Sequence, residues 1–281
     1  MTLRVTEFHD AMPSRAAVVG RPDAPRQVLL FMGFLACIEP FELQRFALLA
    51  DIWDAQVTVV DTPGCGYGPA RLSRQERRGL RRGDFTPVAR RMVETALDSN
   101  ARLGSNPVTL VGFSMGASIA AAATTTGLVT VEHAVLVEPV AIRRWSLVSL
   151  LRATRGEDRV LDEYVVRNTA FADSVDPLPR REDPAPRTSQ TDLAHLGYAL
   201  SRGRMTADLR CGHRLHSFSV QLVHGARSRL SPVADVSRLA TACRDAGIDT
   251  TDIPVPGRHA LWHSLPDVAR LARRTMSHWT P

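Results

Sequence analysis

Short apolar runs that alternate with amphipathic segments are the feature that most restricts how this chain can fold. Each run has four or five residues, a length typical of a strand whose two faces are both buried. Strands that alternate with helices predict a mostly parallel sheet with helices on both faces, which is the α/β class. The clearest runs are Gln27–Phe31, Gln56–Val60, Val108–Val111, His133–Val137 and Ser219–Val223.

One long segment departs from this alternation. Between about Val140 and Ser217 we find no run typical of a buried strand, while Trp145–Arg152 and Asp192–Leu209 have amphipathic patterns that predict helices. The four prolines of Asp176–Pro186 disfavour a helix in that stretch. We therefore predict a core of residues 1–139 and 218–281, interrupted by a mainly helical insertion at residues 140–217.

Composition restricts where such a protein works. No apolar stretch reaches the roughly 18–20 residues that a membrane span requires, and the first residues lack a basic region followed by an apolar segment, so no secretory signal is predicted. The four cysteines are scattered, as expected of reduced thiols. We expect a cytoplasmic protein with no membrane partner.

The formal charge of +6 raises the question of nucleic acid. The chain has no lysine, and six of its arginines lie within the twelve residues Arg71–Arg82. Such a cluster can bind phosphates, but a basic run without further motif is more often a solvated surface. We therefore do not expect nucleic acid as a partner, and the composition does not predict an oligomeric state.

The strongest chemical signal is a G-x-S-x-G motif, Gly112-Phe-Ser-Met-Gly116, between a predicted strand and a predicted helix. Small residues at both ends allow strand and helix to approach closely, and the strained turn lifts the Ser114 hydroxyl above the sheet. The helix that follows begins with free N–H groups that can stabilise an anion. In this strand–turn–helix context the motif predicts a nucleophilic serine.

With this motif in place, the chain resembles the α/β-hydrolase superfamily over nearly its whole length. Residues 61–66, Asp-Thr-Pro-Gly-Cys-Gly, resemble the D-x-P-G-x-G loop of many members, and Pro256-Gly-Arg-His259 resembles the loop that presents the catalytic histidine. The insertion at 140–217 lies where members commonly carry a cap domain. The resemblance implies an α/β-hydrolase fold with a mainly helical cap.

By this resemblance Ser114 is the nucleophile and His259 the general base, because a serine hydroxyl needs an imidazole to take its proton. His263, one helical turn later, is the nearest rival, whereas His224 in a His-Gly dipeptide is better explained as structural. The oxyanion hole would use the backbone amides of Met115 and Phe34. Many members have His-Gly before the second donor, where this chain has Met32-Gly33.

The acid is harder to assign. The family's commonest arrangement, H-G-x-x-D, places it at position 228, which is a serine between Arg227 and Arg229. A serine cannot hold the negative charge that stabilises an imidazolium. Some members place the acid directly after the sixth strand, and the residue there is Glu138. We favour Glu138, while Asp235 or the absence of any acid remain alternatives.

The predicted function is a serine hydrolase that cleaves a small-molecule ester or thioester through an acyl-enzyme, with no cofactor. The absence of an acid at Ser228 leaves a second hypothesis, an inactive hydrolase-fold protein that binds a ligand or another protein. Cys211, His213 and His216 are possible zinc ligands, but no second ligand pair follows at a suitable spacing, so no metal site is predicted.

Overall fold

A computed structural model of the protein describes residues 5–9, 15–65, 70–169 and 189–279. Asp176–Pro186, where we predict no helix, lies outside the described residues. Within them, eight strands form one sheet in the order β1-β2-β4-β3-β5-β6-β7-β8. The strands are β1 (Val5–His9), β2 (Ala16–Val19), β3 (Arg26–Phe31), β4 (Ala55–Val60), β5 (Val108–Phe113), β6 (Val131–Val137), β7 (Ser219–Gly225) and β8 (Thr250–Val255).

Helices connect most of these strands. The helices of the described residues are α1 (Pro40–Trp53), α2 (Arg74–Leu80), α3 (Thr86–Ser99), α4 (Arg102–Ser105), α5 (Met115–Ala123), α6 (Leu147–Asp158), α7 (Leu161–Val165), α8 (Gln190–Leu200), α9 (Met205–Leu215), α10 (Val233–Arg244) and α11 (Leu265–Met276). Helix α6 confirms the helix predicted at Trp145–Arg152, whereas the stretch predicted at Asp192–Leu209 forms two helices, α8 and α9, that are interrupted at residues 201–204. Helix α2 was not predicted, because its sequence is polar and lacks an apolar stripe. None of the described helices combines the length and the apolar character needed to cross a bilayer.

The predicted mostly parallel sheet is confirmed. Strands β3 to β8 pair in parallel, while β1 and β2 form an antiparallel edge that joins the sheet at β4. The six residues of β5 are all buried, as are the last four of β6, because helices cover both faces of the sheet. This explains why those strands are apolar runs without alternation.

The sheet separates two apolar cores. Helices α3, α5 and α10 pack on one face, where they bury residues such as Met92, Ile119 and Leu239. Helices α1 and α11 pack on the other face, around Phe46 and Trp53. Each large apolar side chain buried in this way contributes roughly 1.5–3 kcal/mol to the free energy of unfolding, so the sheet provides a rigid base for its carboxyl edge.

The strand order determines where a site can form. From β3 the chain continues to β4 on one side and later to β5 on the other, so the order reverses between β3 and β5. Such a reversal leaves a crevice at the carboxyl ends of the strands, where α/β proteins bind ligands. The register also aligns the last residues of β5 and β6, since Phe113 pairs with Val137, and Val137 pairs with Val223 of β7.

Candidate active site

Ser114 occupies the sharp turn between β5 and α5. Its φ of 57° and ψ of −114° are costly for a residue with a Cβ, and such strain persists only where the surroundings enforce it. The Ser114 N–H donates a hydrogen bond to the Val137 carbonyl at 2.9 Å. A Cβ on Gly112 would lie 2.3 Å from the carbonyl oxygen of Gly116, so strand and helix approach as closely as the motif predicts.

His259 lies beside this serine. It begins a short 3-10 helix, His259–His263, between β8 and α11. Its Nε2 atom is 3.0 Å from Ser114 Oγ. The imidazole packs against the Phe113 ring at a centroid distance of 5.1 Å, and Trp262 stacks on the same ring at 4.9 Å. The structure therefore brings together the two residues that the sequence predicts as nucleophile and base.

Glu138 completes a chain of three side chains. It directly follows β6, is fully buried, and places Oε2 2.9 Å from His259 Nδ1. A carboxylate only accepts hydrogen bonds, so Nδ1 carries the ring proton and Nε2 can accept a bond from the Ser114 hydroxyl. Glu138 has a φ of 51°, in the left-handed region that is costly for residues other than glycine. Ser114 and Glu138 thus both lie in strained turns, which directly follow the neighbouring strands β5 and β6.

The loop after β7 holds this carboxylate. The Gly225 N–H donates to Glu138 Oε1, and the Ser228 hydroxyl donates to Oε2 at 2.6 Å. Ser228 Oγ in turn accepts the N–H of Ser231 at 3.0 Å. The position where the commonest family pattern has an acid therefore supplies a donor to the carboxylate that comes from β6. Arg227 and Arg229, which flank Ser228, are exposed.

A second buried carboxylate, Glu157 of α6, binds the backbone of the same two loops. Its Oε2 accepts the backbone N–H of His259 at 3.2 Å, and its Oε1 accepts that of Arg229 at 2.6 Å. Glu157 is only 3% exposed. The segment between β6 and β7 thereby contacts both the loop that carries His259 and the loop that carries Ser228.

Further contacts from the segment between β6 and β7 fix the residues around His259. The Tyr164 hydroxyl accepts the Arg258 N–H at 2.9 Å. The Asn168 side chain donates to the His263 carbonyl at 2.8 Å and accepts the Leu265 N–H at 2.7 Å. Sequence reasoning missed these residues and Glu157, because a single polar residue on a helix has no periodic pattern to mark it. Their roles depend on contacts with residues almost a hundred positions away.

The rivals for the base and the acid make other contacts. Asp235 pairs with Arg238 and with Arg143, the latter at 3.3 Å. Burial, and to a smaller extent the neighbouring Arg45 and His259, lowers the pKa of His263 from 6.5 to about 4. A ring with so low a pKa is neutral and a weak base near neutral pH. His224, interpreted from sequence as structural, bonds through Nε2 to Asp252 Oδ1 at 2.9 Å.

The two predicted oxyanion donors belong to adjacent segments. Met115 begins helix α5, and Phe34 lies in the loop after β3. A Cβ on Gly33 would lie 3.0 Å from the Phe113 ring and 3.5 Å from Ser114 Cβ, so the β3 loop packs directly against the serine turn. The Phe34 side chain is exposed.

Two arginines of the Arg71–Arg82 cluster bind other side chains of the protein. Arg77 pairs with the buried carboxylate of Asp192 at 2.9 Å, and Arg81 Nε donates to His195 Nε2 at 3.3 Å. These contacts attach α2 to α8. Cys211, His213 and His216 lie at the end of α9, and no group of three possible ligands among the described residues is arranged to hold a metal.

Comparisons with known proteins agree with this architecture. A family model described as "Alpha/beta hydrolase family" matches residues 31–273, whereas no curated protein sequence matches the chain. Similar solved structures include an alpha/beta hydrolase fold protein from Chitinophaga pinensis (TM-score 0.63, 13% identity, 97% of this chain and 96% of that chain covered). A thioesterase domain from the curacin biosynthetic pathway (0.59, 18%, 97% and 99%) and an esterase from Exiguobacterium antarcticum (0.55, 16%, 96% and 98%) are also similar. At these identities the likeness shows the fold.

Proposed function

Because the chain belongs to the alpha/beta hydrolase family, we propose that it is a serine hydrolase that cleaves an ester or thioester through an acyl-enzyme intermediate. The observation that supports this proposal most is the continuous chain of hydrogen bonds from Ser114 through His259 to Glu138. Nucleophile, base and acid are each within 3.0 Å of the next group, which is the reach that proton transfer requires.

In the first half of the reaction the Ser114 oxygen attacks the acyl carbon while its proton passes to His259 Nε2. The carbonyl oxygen becomes an oxyanion, which the backbone N–H groups of Met115 and Phe34 would stabilise. The imidazolium then gives its proton to the leaving alcohol or thiol, and the C–O or C–S bond breaks. Ser114 is left as an acyl ester.

In the second half a water molecule repeats the attack. His259 Nε2 takes a proton from that water, a second oxyanion forms, and the proton returns to Ser114 Oγ as the acid product leaves. Glu138 keeps the proton of the neutral ring on Nδ1 and stabilises the imidazolium at each stage. Donors from Gly225 and Ser228 hold the Glu138 carboxylate in place for this role.

We propose further that residues 140–217 form a cap over the site. Helices α6 to α9 lie in the described part of this segment. The contact of Glu157 with the His259 and Arg229 amides supports a position beside the catalytic loops. A cap in this place would determine which acyl groups and leaving groups reach Ser114.

The choice of an ester or thioester rests on the named relatives. One similar structure is called an esterase and another a thioesterase domain. Both reactions use the same acyl-enzyme, so the triad alone does not separate them. The test is hydrolysis of p-nitrophenyl acetate and of an acetyl thioester by the wild type and by Ser114→Ala. We expect the variant to lose at least about 10³-fold in kcat on whichever substrate is cleaved.

A suitable control is Ser277→Ala, which removes an exposed hydroxyl just after α11. It should keep wild-type activity. Hydrolysis that survives Ser114→Ala would contradict the proposal.

The second hypothesis, an inactive binding protein, makes a different prediction. A competent pair of Ser114 and His259 reacts with a fluorophosphonate probe, because the serine oxygen displaces fluoride while the imidazole takes the proton. We expect one label per chain, at Ser114. An unlabelled protein that is folded by circular dichroism would favour the binding protein instead.

A further inference from the structure

A cavity of about 330 Å³ lies between helix α6 and the loop after β7. Four guanidinium groups surround it: two from α6, one from Arg159 directly after α6, and one from Arg229. None of the four forms an ion pair within the part of the chain that the structure describes. By contrast, several arginines elsewhere on the surface are paired with carboxylates. The lining residues are Val148, Leu151, Arg152, Arg155, Gly156, Arg159 and Arg229. We call this cavity the arginine pocket.

A backbone hydrogen bond and a packing contact hold Arg229 in the pocket. Its backbone N–H donates to the buried Glu157 carboxylate, which fixes the start of the side chain. Gly156 then provides the space for the rest, since a Cβ there would lie 2.6 Å from Arg229 Nη1 and 3.1 Å from its Cδ. The guanidinium therefore lies directly against the backbone of α6, which distinguishes it from a freely solvated arginine.

One wall of the arginine pocket is apolar. Val148 is 65% exposed and Leu151 is 58% exposed, although valine and leucine side chains are usually buried in folded proteins. They lie on the same face of α6 as Arg152 and Arg155, at helical spacings of three and four residues. The pocket thus combines a concentrated positive charge with a short apolar surface.

We propose that the arginine pocket binds an organic phosphate, with the phosphate group between the guanidiniums and its attached carbon chain against Val148 and Leu151. A phosphate monoester carries a charge near −2 at neutral pH and three acceptor oxygens, so it can satisfy several guanidiniums at once. Arginine suits this role because its planar fork donates two parallel bonds to phosphate oxygens. This site is separate from Ser114, and the proposal does not depend on the proposed hydrolysis.

Isothermal titration calorimetry with hexyl phosphate and with inorganic phosphate tests the pocket. Neither probe contains an acyl bond, so binding is measured without turnover. We expect hexyl phosphate to bind more tightly than inorganic phosphate, and both affinities to fall as salt is added. No binding of either probe would overturn the proposal, and equal affinities would overturn the role of the apolar wall.

Substitutions locate the site. The double variant Arg152→Gln/Arg155→Gln should weaken hexyl phosphate binding by about tenfold or more, because charge-assisted hydrogen bonds are lost. The matched control is Arg78→Gln/Arg82→Gln, which removes the same charge from exposed positions in and just after α2. Equal losses of hexyl phosphate affinity in the two double variants would show that positive charge attracts the phosphate non-specifically. That result would overturn the proposal that the arginine pocket is the binding site.

Gly156→Ala tests the packing of Arg229 without removing a charge. The added methyl would occupy the space of the Arg229 side chain, so hexyl phosphate affinity should fall several-fold. Alanine is the better helix former, so the Tm should not fall. Unchanged affinity in this variant would contradict the part of the proposal that assigns Arg229 to the ligand.

Discussion

The Ser228 hydroxyl lies 2.6 Å from Glu138 Oε2, the same oxygen that lies 2.9 Å from His259 Nδ1. The residue at the usual position of the acid and the residue that contacts the imidazole are therefore direct neighbours. Two strands, β6 and β7, end side by side, so a carboxylate from either one could reach the same place beside the ring. In this chain β6 provides the carboxylate and β7 provides a hydroxyl that holds it.

Glu138→Gln should reduce kcat by about 10²- to 10⁴-fold. An amide at this position has no charge to stabilise the imidazolium, and its NH₂ group can favour the wrong ring tautomer. The measurement is kcat on the ester or thioester that the wild type cleaves. Asp235→Asn is the informative control, because Asp235 is the alternative acid and pairs with Arg143 and Arg238 instead. If Asp235→Asn lost kcat while Glu138→Gln stayed active, the acid would be Asp235 and not Glu138.

Moving the carboxylate between strands should restore part of the activity. Glu138→Ser alone removes the acid, whereas Glu138→Ser/Ser228→Asp returns a carboxylate from the position next to it. We expect the double variant to be at least about tenfold more active than Glu138→Ser, because a charge beside the imidazole is regained. Steady-state kinetics of the two proteins provide the comparison. A double variant no better than the single one would mean that the loop after β7 cannot present an acid to His259.

Glu157→Gln should lower both stability and kcat. A glutamine has one acceptor oxygen for the two N–H groups of His259 and Arg229, so one buried donor loses its partner at a cost of about 1–3 kcal/mol. Because the His259 loop is then less well positioned, kcat should fall several-fold with little change in KM. Urea unfolding and steady-state kinetics measure the two effects.

Glu163→Gln, an exposed change on α7, is the matched control and should leave both values unchanged. A Glu157→Gln protein that loses stability but keeps its kcat would show that the contact serves the fold alone.

His263 should make the protein sensitive to mild acid. Its pKa is about 4 in the folded protein against 6.5 ordinarily, so between these values the unfolded chain binds more protons. The contribution of His263 to the free energy of unfolding is therefore fully present above pH 6.5 and decreases as the pH falls toward 4. Near pH 4.5 this residue should account for about 2–3 kcal/mol of the loss.

Urea unfolding of the wild type and of His263→Gln at neutral pH and near pH 4.5 measures this contribution. The variant should lose less stability on acidification, whereas His278→Gln, at an exposed position, should behave as the wild type does. Identical losses in all three proteins would contradict a neutral, partly buried His263.

Much of the fold could be predicted from local patterns. Apolar runs such as Val108–Val111 and His133–Val137 indicated parallel strands, since a strand covered on both faces must be apolar throughout. The glycines around Ser114 indicated the strained turn, because only residues without a side chain allow that approach. Helix α2 was missed because its sequence lacks an apolar stripe, although Ser73 and Glu76 form a capping box at its start. Its contact with α8 through Arg77 and Asp192 has no local signature.

The sequence by itself determined the class of sheet, the nucleophile turn and a short list of residues that could act with Ser114. It left open which carboxylate contacts His259 and what the Ser228 hydroxyl contacts. The tertiary structure decided both questions, because strand register brings Glu138, Ser228 and His259 together across separations of about a hundred residues. The same holds for Glu157 and the arginine pocket, since chain order does not encode which distant loops a helix will contact.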